Sequence, residues 1–295
     1  MLELEGVTRR FGETTVLDDV TFDVAPGRLT GFVGANGAGK TTTMRIVMGV
    51  LAASRGVVRW HGREVTRGDR RSFGYLPEER GLYPKQPVHE QLVYFGRLHG
   101  LTAVAATARV DELLERLSLA ERRRDRLDTL SLGNQQRVQI AAALVHSPTA
   151  LVLDEPFSGL DPLAVDAMAE ILREQARADV PVLFSSHQLD LVERLCDDLV
   201  ILADGRVVAA GSVDDLREGA GVLYRLVLGE GDDAGWLRDL PGLGVADVDG
   251  PVAVVDVTEA GAEQRLLLSA LERGPVREFA RVVPALSDVF REVVR

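Results

Sequence analysis

Gly34-Ala35-Asn36-Gly37-Ala38-Gly39-Lys40-Thr41 has the spacing G-x-x-x-x-G-K-S/T. In that pattern glycines let successive backbone N–H groups converge on phosphate oxygens, and the helix that follows adds about half a positive charge. Gly34, Asn36, Gly37 and Gly39 are therefore read as the cradle, and Lys40 as the group that reaches the β and γ phosphates. Thr41 is placed to give its hydroxyl to Mg²⁺, and Thr42 to donate to the α-phosphate. Further along, Leu151-Val152-Leu153 runs straight into Asp154-Glu155. Side chains alternate on a strand, so Asp154 is read as the metal-side ligand and Glu155 as the general base or water-orienting group. His187 closes a second apolar run, where it can contact the γ-phosphate and water. Ser131-Leu132-Gly133 opens another polar helix start, which suits a second phosphate. His61, His89, His99 and His146 have no such context and read as structural.

The elements that must hold these groups are visible as changes of period. A strand over 28–33 and a helix over 41–50 flank the glycine loop. Residues 2–7 and 20–24 alternate as antiparallel strands, with Pro26-Gly27 as the turn before the loop, and 57–60 continues as a hairpin arm. From 88 to about 145 apolar residues recur at three and four, as in Leu92, Phe95, Leu98 and Val110, Leu113, Leu114, Leu117, which predicts a helical insertion. Short buried strands follow at 150–153, 182–185 and 199–202, with helices at 162–177 and 189–196 between them. A short helix after Val213 and a glycine-rich linker at 218–221 mark a boundary. Beyond it come strands at 224–228, 245–248, 252–257 and 276–283, a short helix at 233–240, and amphipathic helices at 263–273 and 286–294. That order is close to β-α-β-β-α-β, a small α+β domain of ferredoxin-like type.

Composition narrows the functional classes. The 295 residues are 46% apolar but only 5% aromatic, which suits an aliphatic interior built on a buried parallel sheet. The net charge of −11 argues against broad nucleic-acid binding, which needs a basic surface. The single cysteine, Cys196, excludes an internal disulfide and a cysteine metal cluster, fits a reducing cytoplasm, and reads as core filler. The opening MLELEGVTRRFG lacks a secretory apolar stretch. The longest conspicuous uncharged run, 138–153, is too short and too polar to span a bilayer, so a membrane role requires a partner chain.

These residues resemble the ATP-binding subunit of ABC transporters across about residues 1–217, with six motifs in that family's order. Gly34 to Thr42 resembles Walker A, Tyr75-Leu76-Pro77-Glu78 the Q-loop, and Ser131 to Gln135 the signature. Leu151 to Glu155 resembles Walker B, Ser158-Gly159-Leu160-Asp161 the D-loop, and His187 the switch histidine. Phe11 matches the aromatic that stacks on adenine, whereas Phe22 reads as core. The resemblance implies a P-loop ATPase core with an antiparallel β subdomain, a helical subdomain at about 80–146, and an accessory domain at 218–295. It implies ATP and Mg²⁺ as ligands, and Glu78 beside the metal as a catalytic and metal-side candidate. It further implies a head-to-tail homodimer in which Ser131, Gly133 and Gln135 meet the γ-phosphate held by Lys40 of the other copy. A separate transmembrane permease would place the chain at the cytoplasmic face of the plasma membrane. The segment LPEERGLYPK together with a small carboxyl-terminal domain resembles exporter-type subunits.

Two departures from that pattern stand out. Leu132 and Asn134 interrupt the usual LSGGQ, while Ser131, Gly133 and the helix start are kept. Glu78 occupies the place of a glutamine. An ionised carboxylate about 5 Å from a phosphate charge, at an effective dielectric of about 20, costs roughly 3 kcal/mol, which Mg²⁺ or protonation must offset. The alternative class is a soluble ABC-type ATPase clamp acting on nucleic acid or the ribosome. Clamps of the chromosome type carry a long coiled coil between the Walker motifs, whereas Lys40 to Asp154 has room only for a compact insertion. A simple P-loop kinase or GTPase has no use for Ser131 to Gln135 or His187.

Overall fold

The computed structural model describes every residue except 80, 219–222, 230–232, 260, 283–285, 287–289 and 291–295. The chain forms two compact units, Met1–Ser212 and Val213–Arg295.

In the first unit, β1 (Leu2–Phe11) and β2 (Thr14–Val24) pair antiparallel. β3 (Leu29–Val33) then leads into α1 (Lys40–Val47). β4 (Arg55–Trp60) and β5 (Arg63–Glu64) complete a four-stranded sheet of order β2-β1-β4-β5. α2 (Arg67–Arg71) and β6 (Phe73–Leu76) precede the helical insertion, α3 (Val88–Leu98), α4 (Ala103–Arg116) and α5 (Leu132–Leu144). β7 (Ala150–Leu153), α6 (Pro162–Arg177), β8 (Val182–Ser186), α7 (Leu189–Leu195), β9 (Asp198–Ala203) and β10 (Arg206–Ser212) finish the unit.

The second sheet has the order β10-β9-β3-β8-β7-β6, parallel except for β10. β3, β7 and β8 are buried along their whole length, as central parallel strands covered on both faces must be. Because β8 lies between β3 and β7, the carboxyl ends of these strands bring the glycine loop, His187 and Asp154-Glu155 side by side. The core beneath joins both sheets through Leu4, Val20, Phe22, Phe32, Met44 and Val152, with the Phe22 and Phe32 rings 5.3 Å apart. α5 buries Val138, Gln139, Ile140, Ala141, Ala143 and Leu144, nearly all the way round. Among the described residues no helix is long and apolar enough to cross a membrane.

In the second unit α8 (Val213–Glu218) comes first, so the contacts group it with this unit rather than with the one before. β11 (Leu223–Leu228), a 3₁₀ turn at Ala234–Asp239, β12 (Leu243–Asp249), β13 (Val252–Val257), α9 (Ala262–Arg273) and β14 (Val276–Val282) follow. Their order β12-β13-β11-β14, with antiparallel neighbours throughout, is the ferredoxin-like arrangement, its first helix reduced to the 3₁₀ turn. Leu226, Leu228, Ala253, Val255, Leu266 and Ala270 form its core. The helix expected at 286–294 lies outside the described residues apart from Leu286 and Phe290.

Candidate functional site

The loop between β3 and α1 is shaped by two glycines in left-handed backbone, Gly37 (φ 84°) and Gly39 (φ 110°). A Cβ on Gly39 would stand 2.5 Å from a Leu17 methyl, and its φ of 110° strains any other side chain, so glycine is favoured there. α4, α5 and α6 are capped by the side chains of Thr102, Ser131 and Asp161, whereas α1 has no side-chain cap. The first N–H groups of α1 thus face the loop without a side-chain acceptor, which is the arrangement an anion completes. Lys40 is only 8% exposed, and its Nζ donates to the carbonyls of Gly34 (2.6 Å) and Ala35 (3.2 Å). Thr41 Oγ1 donates to Glu78 Oε2 at 3.3 Å.

β7 ends at Leu153, and Asp154 follows with 1% exposure. Its Oδ1 accepts from Ser185 Oγ at 2.6 Å, while its buried Oδ2 has no hydrogen-bond partner among the described residues. Strand alternation predicts that the two carboxylates diverge. Instead both line one cavity, because Glu155 has left the strand and sits at φ 51°. Glu155 Oε2 lies 3.0 Å from His187 Nδ1.

That cavity, about 390 Å³, is lined by Asn36, Gly37, Gly39, Lys40, Thr41 and Thr42 from the loop and α1. Glu78, Asp154, Glu155 and Val16 complete its walls. Gly34, at the start of the loop, is packed so closely that a Cβ would collide with the Leu202 carbonyl at 2.3 Å. Among the described residues no group of three His, Cys, Asp or Glu side chains is arranged to hold a metal on its own. The oxygen donors of Thr41, Asp154 and Glu78, with one Asp154 oxygen unpartnered, nevertheless suit a hard cation that takes its remaining ligands from phosphate and water.

Six expected residues are not among those that line the cavity: Gly34, His187, Phe11, Ser131, Gly133 and Gln135. Phe11 is 47% exposed, and the Arg9 guanidinium lies over its ring at 4.4 Å. Ser131, Gly133 and Gln135 belong to the start of α5, where Ser131 Oγ accepts from the Asn134 N–H at 3.4 Å and Gln135 Nε2 donates to the Leu130 carbonyl at 2.9 Å. A Cβ on Gly133 would lie 3.0 Å from the Gly159 carbonyl, and Arg137 reaches Asp161 at 3.4 Å, so this helix start is packed on the segment that follows Glu155.

Sequence reasoning did not single out Ser185 or Gln136, both buried and both bonded to Asp154 or Glu155. Their signal is position alone: Ser185 lies two residues before His187, and Gln136 on the first turns of α5. A second cavity, about 310 Å³, is bordered by Phe73, Tyr75, Phe95, His99, Gln139 and His146. The His99 and His146 rings stack at 4.0 Å, and burial, with His99 as the second cause, lowers the His146 pKa to about 4. Among the described residues neither amide atom of Gln139 has a hydrogen-bond partner.

Residues 17–158 match the family described as ABC transporter, and residues 211–294 match the family described as ATP-binding protein DrrA1-3-like, C-terminal domain. The chain is 36% identical over 294 residues to YhaQ, an ABC transporter ATP-binding protein of Bacillus subtilis (strain 168), covering 100% of this chain and 98% of that one. It is 33% identical over 233 residues to the linearmycin resistance ATP-binding protein LnrL of the same organism, covering 77% of this chain and 75% of LnrL. A solved ATP-binding subunit of an ABC transporter superposes with a TM-score of 0.70 at 36% identity, covering 75% of this chain and 93% of that one.

Proposed function

Because the chain belongs to the ABC transporter family, as an exporter-like ATP-binding subunit that hydrolyses ATP to drive transport, we propose that two copies close head to tail around two ATP molecules and power export through a separate membrane permease. The observation that carries this reading is the meeting, in one cavity, of buried Lys40 at the uncapped start of α1 with the unpartnered oxygen of Asp154 and with Glu155.

In this reading the Lys40 ammonium moves from the Gly34 and Ala35 carbonyls to the β and γ phosphates. Gly34, Asn36, Gly37, Gly39 and Thr42 cradle the chain of phosphates, and Phe11 stacks on adenine. Thr41 and Asp154, with Glu78 beside them, hold Mg²⁺, which neutralises charge on the phosphates. Glu155 orients the attacking water, and His187 steadies Glu155 and meets the γ-phosphate. Ser131, Gly133 and Gln135 act in trans, where the start of α5 offers its dipole to the partner copy's γ-phosphate. Loss of that phosphate removes a contact from both faces, and the dimer opens.

We assign the ATPase role to residues 1–212 and an accessory role to 213–295, a boundary five residues ahead of the one expected from sequence because α8 groups with the second unit. The permease contacts the helical insertion, where Tyr94 and Leu98 of α3 are exposed beside Phe95. The protein thereby sits at the cytoplasmic face of the plasma membrane. Glu155→Gln tests the cycle: with ATP and Mg²⁺ it is expected to elute as a dimer in size-exclusion chromatography. Elution as a monomer under those conditions overturns the proposal.

A further inference from the structure

Water orientation by Glu155 demands a fixed carboxylate, yet Glu155 holds φ at 51°, a left-handed conformation that costs a long side chain energy unless its surroundings enforce it. Two buried side chains from different elements do so. Ser185 Oγ, at the end of β8, accepts from the Glu155 N–H at 2.8 Å and spends its own proton on Asp154 Oδ1 at 2.6 Å. Gln136, 6% exposed on α5, donates from Nε2 to the Glu155 carbonyl at 3.2 Å and to the Pro156 carbonyl at 3.0 Å. The peptide groups on both sides of the Glu155 Cα are therefore held, one from the central sheet and one from the helix that begins at Ser131.

We propose that Ser185 and Gln136 are positioning residues for ATP hydrolysis, clamping the left-handed Glu155 backbone so that its carboxylate stays beside His187 and the cavity. The inference rests on the reading of Glu155 as the water-orienting group. Ser185 has a second effect: with Oδ1 engaged by its hydroxyl, Asp154 presents Oδ2, which has no partner among the described residues. Gln136 has another, since any displacement of the start of α5 is passed through one side chain to the Glu155 carbonyl. The helix assigned to the partner's phosphate and the group assigned to water are thus joined within one chain.

The experiment compares the full-length chain with Ser185→Ala, Ser185→Thr, Gln136→Glu and Glu155→Gln. Phosphate release gives kcat and KM, a fluorescent ATP analogue gives nucleotide affinity, and thermal melting reports folding. Ser185→Ala and Gln136→Glu, which lose the hydroxyl and the amide donor, are expected to lower kcat at least about tenfold. KM and analogue affinity should stay within about twofold of the parent. Ser185→Thr, which keeps the hydroxyl, should recover most of the rate. Gln136→Glu is nearly isosteric, so it decides the matter if Ser185→Ala does not fold. Parental kcat in Gln136→Glu or in folded Ser185→Ala, alongside an inactive Glu155→Gln, overturns the clamp and leaves the role of Glu155 standing. Parental turnover in Glu155→Gln overturns the role of Glu155 instead.

Discussion

His187 Nδ1 and Glu155 Oε2 lie 3.0 Å apart, the glutamate side chain largely covered and the histidine exposed. This contact fixes one carboxylate oxygen and leaves the other for water. His187→Ala is therefore expected to lower kcat on the order of a hundredfold, within the range for a positioned acid–base partner. Nucleotide affinity should change far less. Phosphate release measured beside binding of a fluorescent ATP analogue separates the two, and an equal loss in both would reassign His187 to binding.

Lys40 makes the opposite kind of prediction. Its ammonium is buried against two carbonyl oxygens, and among the described residues no carboxylate pairs with it. A buried cation without an anion is unfavourable. Lys40→Met keeps most of the aliphatic chain and removes the charge, so the nucleotide-free protein should melt at the same temperature or higher. ATP affinity should fall at least about tenfold, the loss of one charge-assisted contact. A lower melting temperature without nucleotide would show that Lys40 is a structural residue first.

What the sequence discloses and what it hides follow from how far each signal is local. β3, β7 and β8 are legible because a strand covered on both faces is an unbroken apolar run, and each ends at residues of the candidate site. β6 is only four residues with Gly74 inside it, and its pairing with β7 is a contact far along the chain. α2 is equally hidden, since Arg67–Arg71 has no apolar face, and its only mark is the capping box between Thr66 and Asp69. Ser185 and Gln136 read as ordinary polar residues until β8 and α5 are laid against Glu155. The direction of the Glu155 side chain was equally illegible, because alternation describes a strand and Glu155 has turned out of one.

Gly133 offers a test of the proposed pairing of two copies. Its missing side chain faces the Gly159 carbonyl, 3.0 Å from where a Cβ would stand, closer than nine in ten real contacts. Gly133→Ala must push the start of α5 away from Gly159 by a few tenths of an ångström. Placed in a Glu155→Gln background, it is expected to keep ATP binding, because Gly133 is not among the residues that line the nucleotide cavity, and to lose the ATP-dependent dimer. Analogue binding and size-exclusion chromatography measure the two properties. A dimer that persists unchanged would remove Gly133 from the interface.

Glu78 places a carboxylate against Thr41 and on the cavity wall. The roughly 3 kcal/mol of repulsion expected at about 5 Å and a dielectric of about 20 is an upper figure, since the side chain is exposed and screened. Glu78→Gln keeps an oxygen that can accept from Thr41 and removes the charge. ATP affinity measured in chelator should rise severalfold. With Mg²⁺ the gain should shrink, because the cation already offsets the carboxylate. Equal gains with and without the metal would place Glu78 away from it.

His146 gives the chain a pH dependence remote from the nucleotide. Its ring stacks on His99 at the end of α3, its Nε2 lies 3.2 Å from the Phe73 carbonyl of β6, and Arg70 of α2 and Gln139 of α5 border the same cavity. Burial first, and His99 second, lower its pKa from 6.5 to about 4. Between those values the unfolded chain binds a proton at this ring that the folded chain refuses, so stability increases with pH across the window. The contribution is complete above pH 6.5 and is lost as pH falls toward 4. His146→Gln, which cannot take up that proton, should show a flatter fall in melting temperature between pH 7 and pH 4.5 than the parent. If the two curves run parallel, the acid response belongs to carboxylates elsewhere, and the His99–His146 stack is only packing.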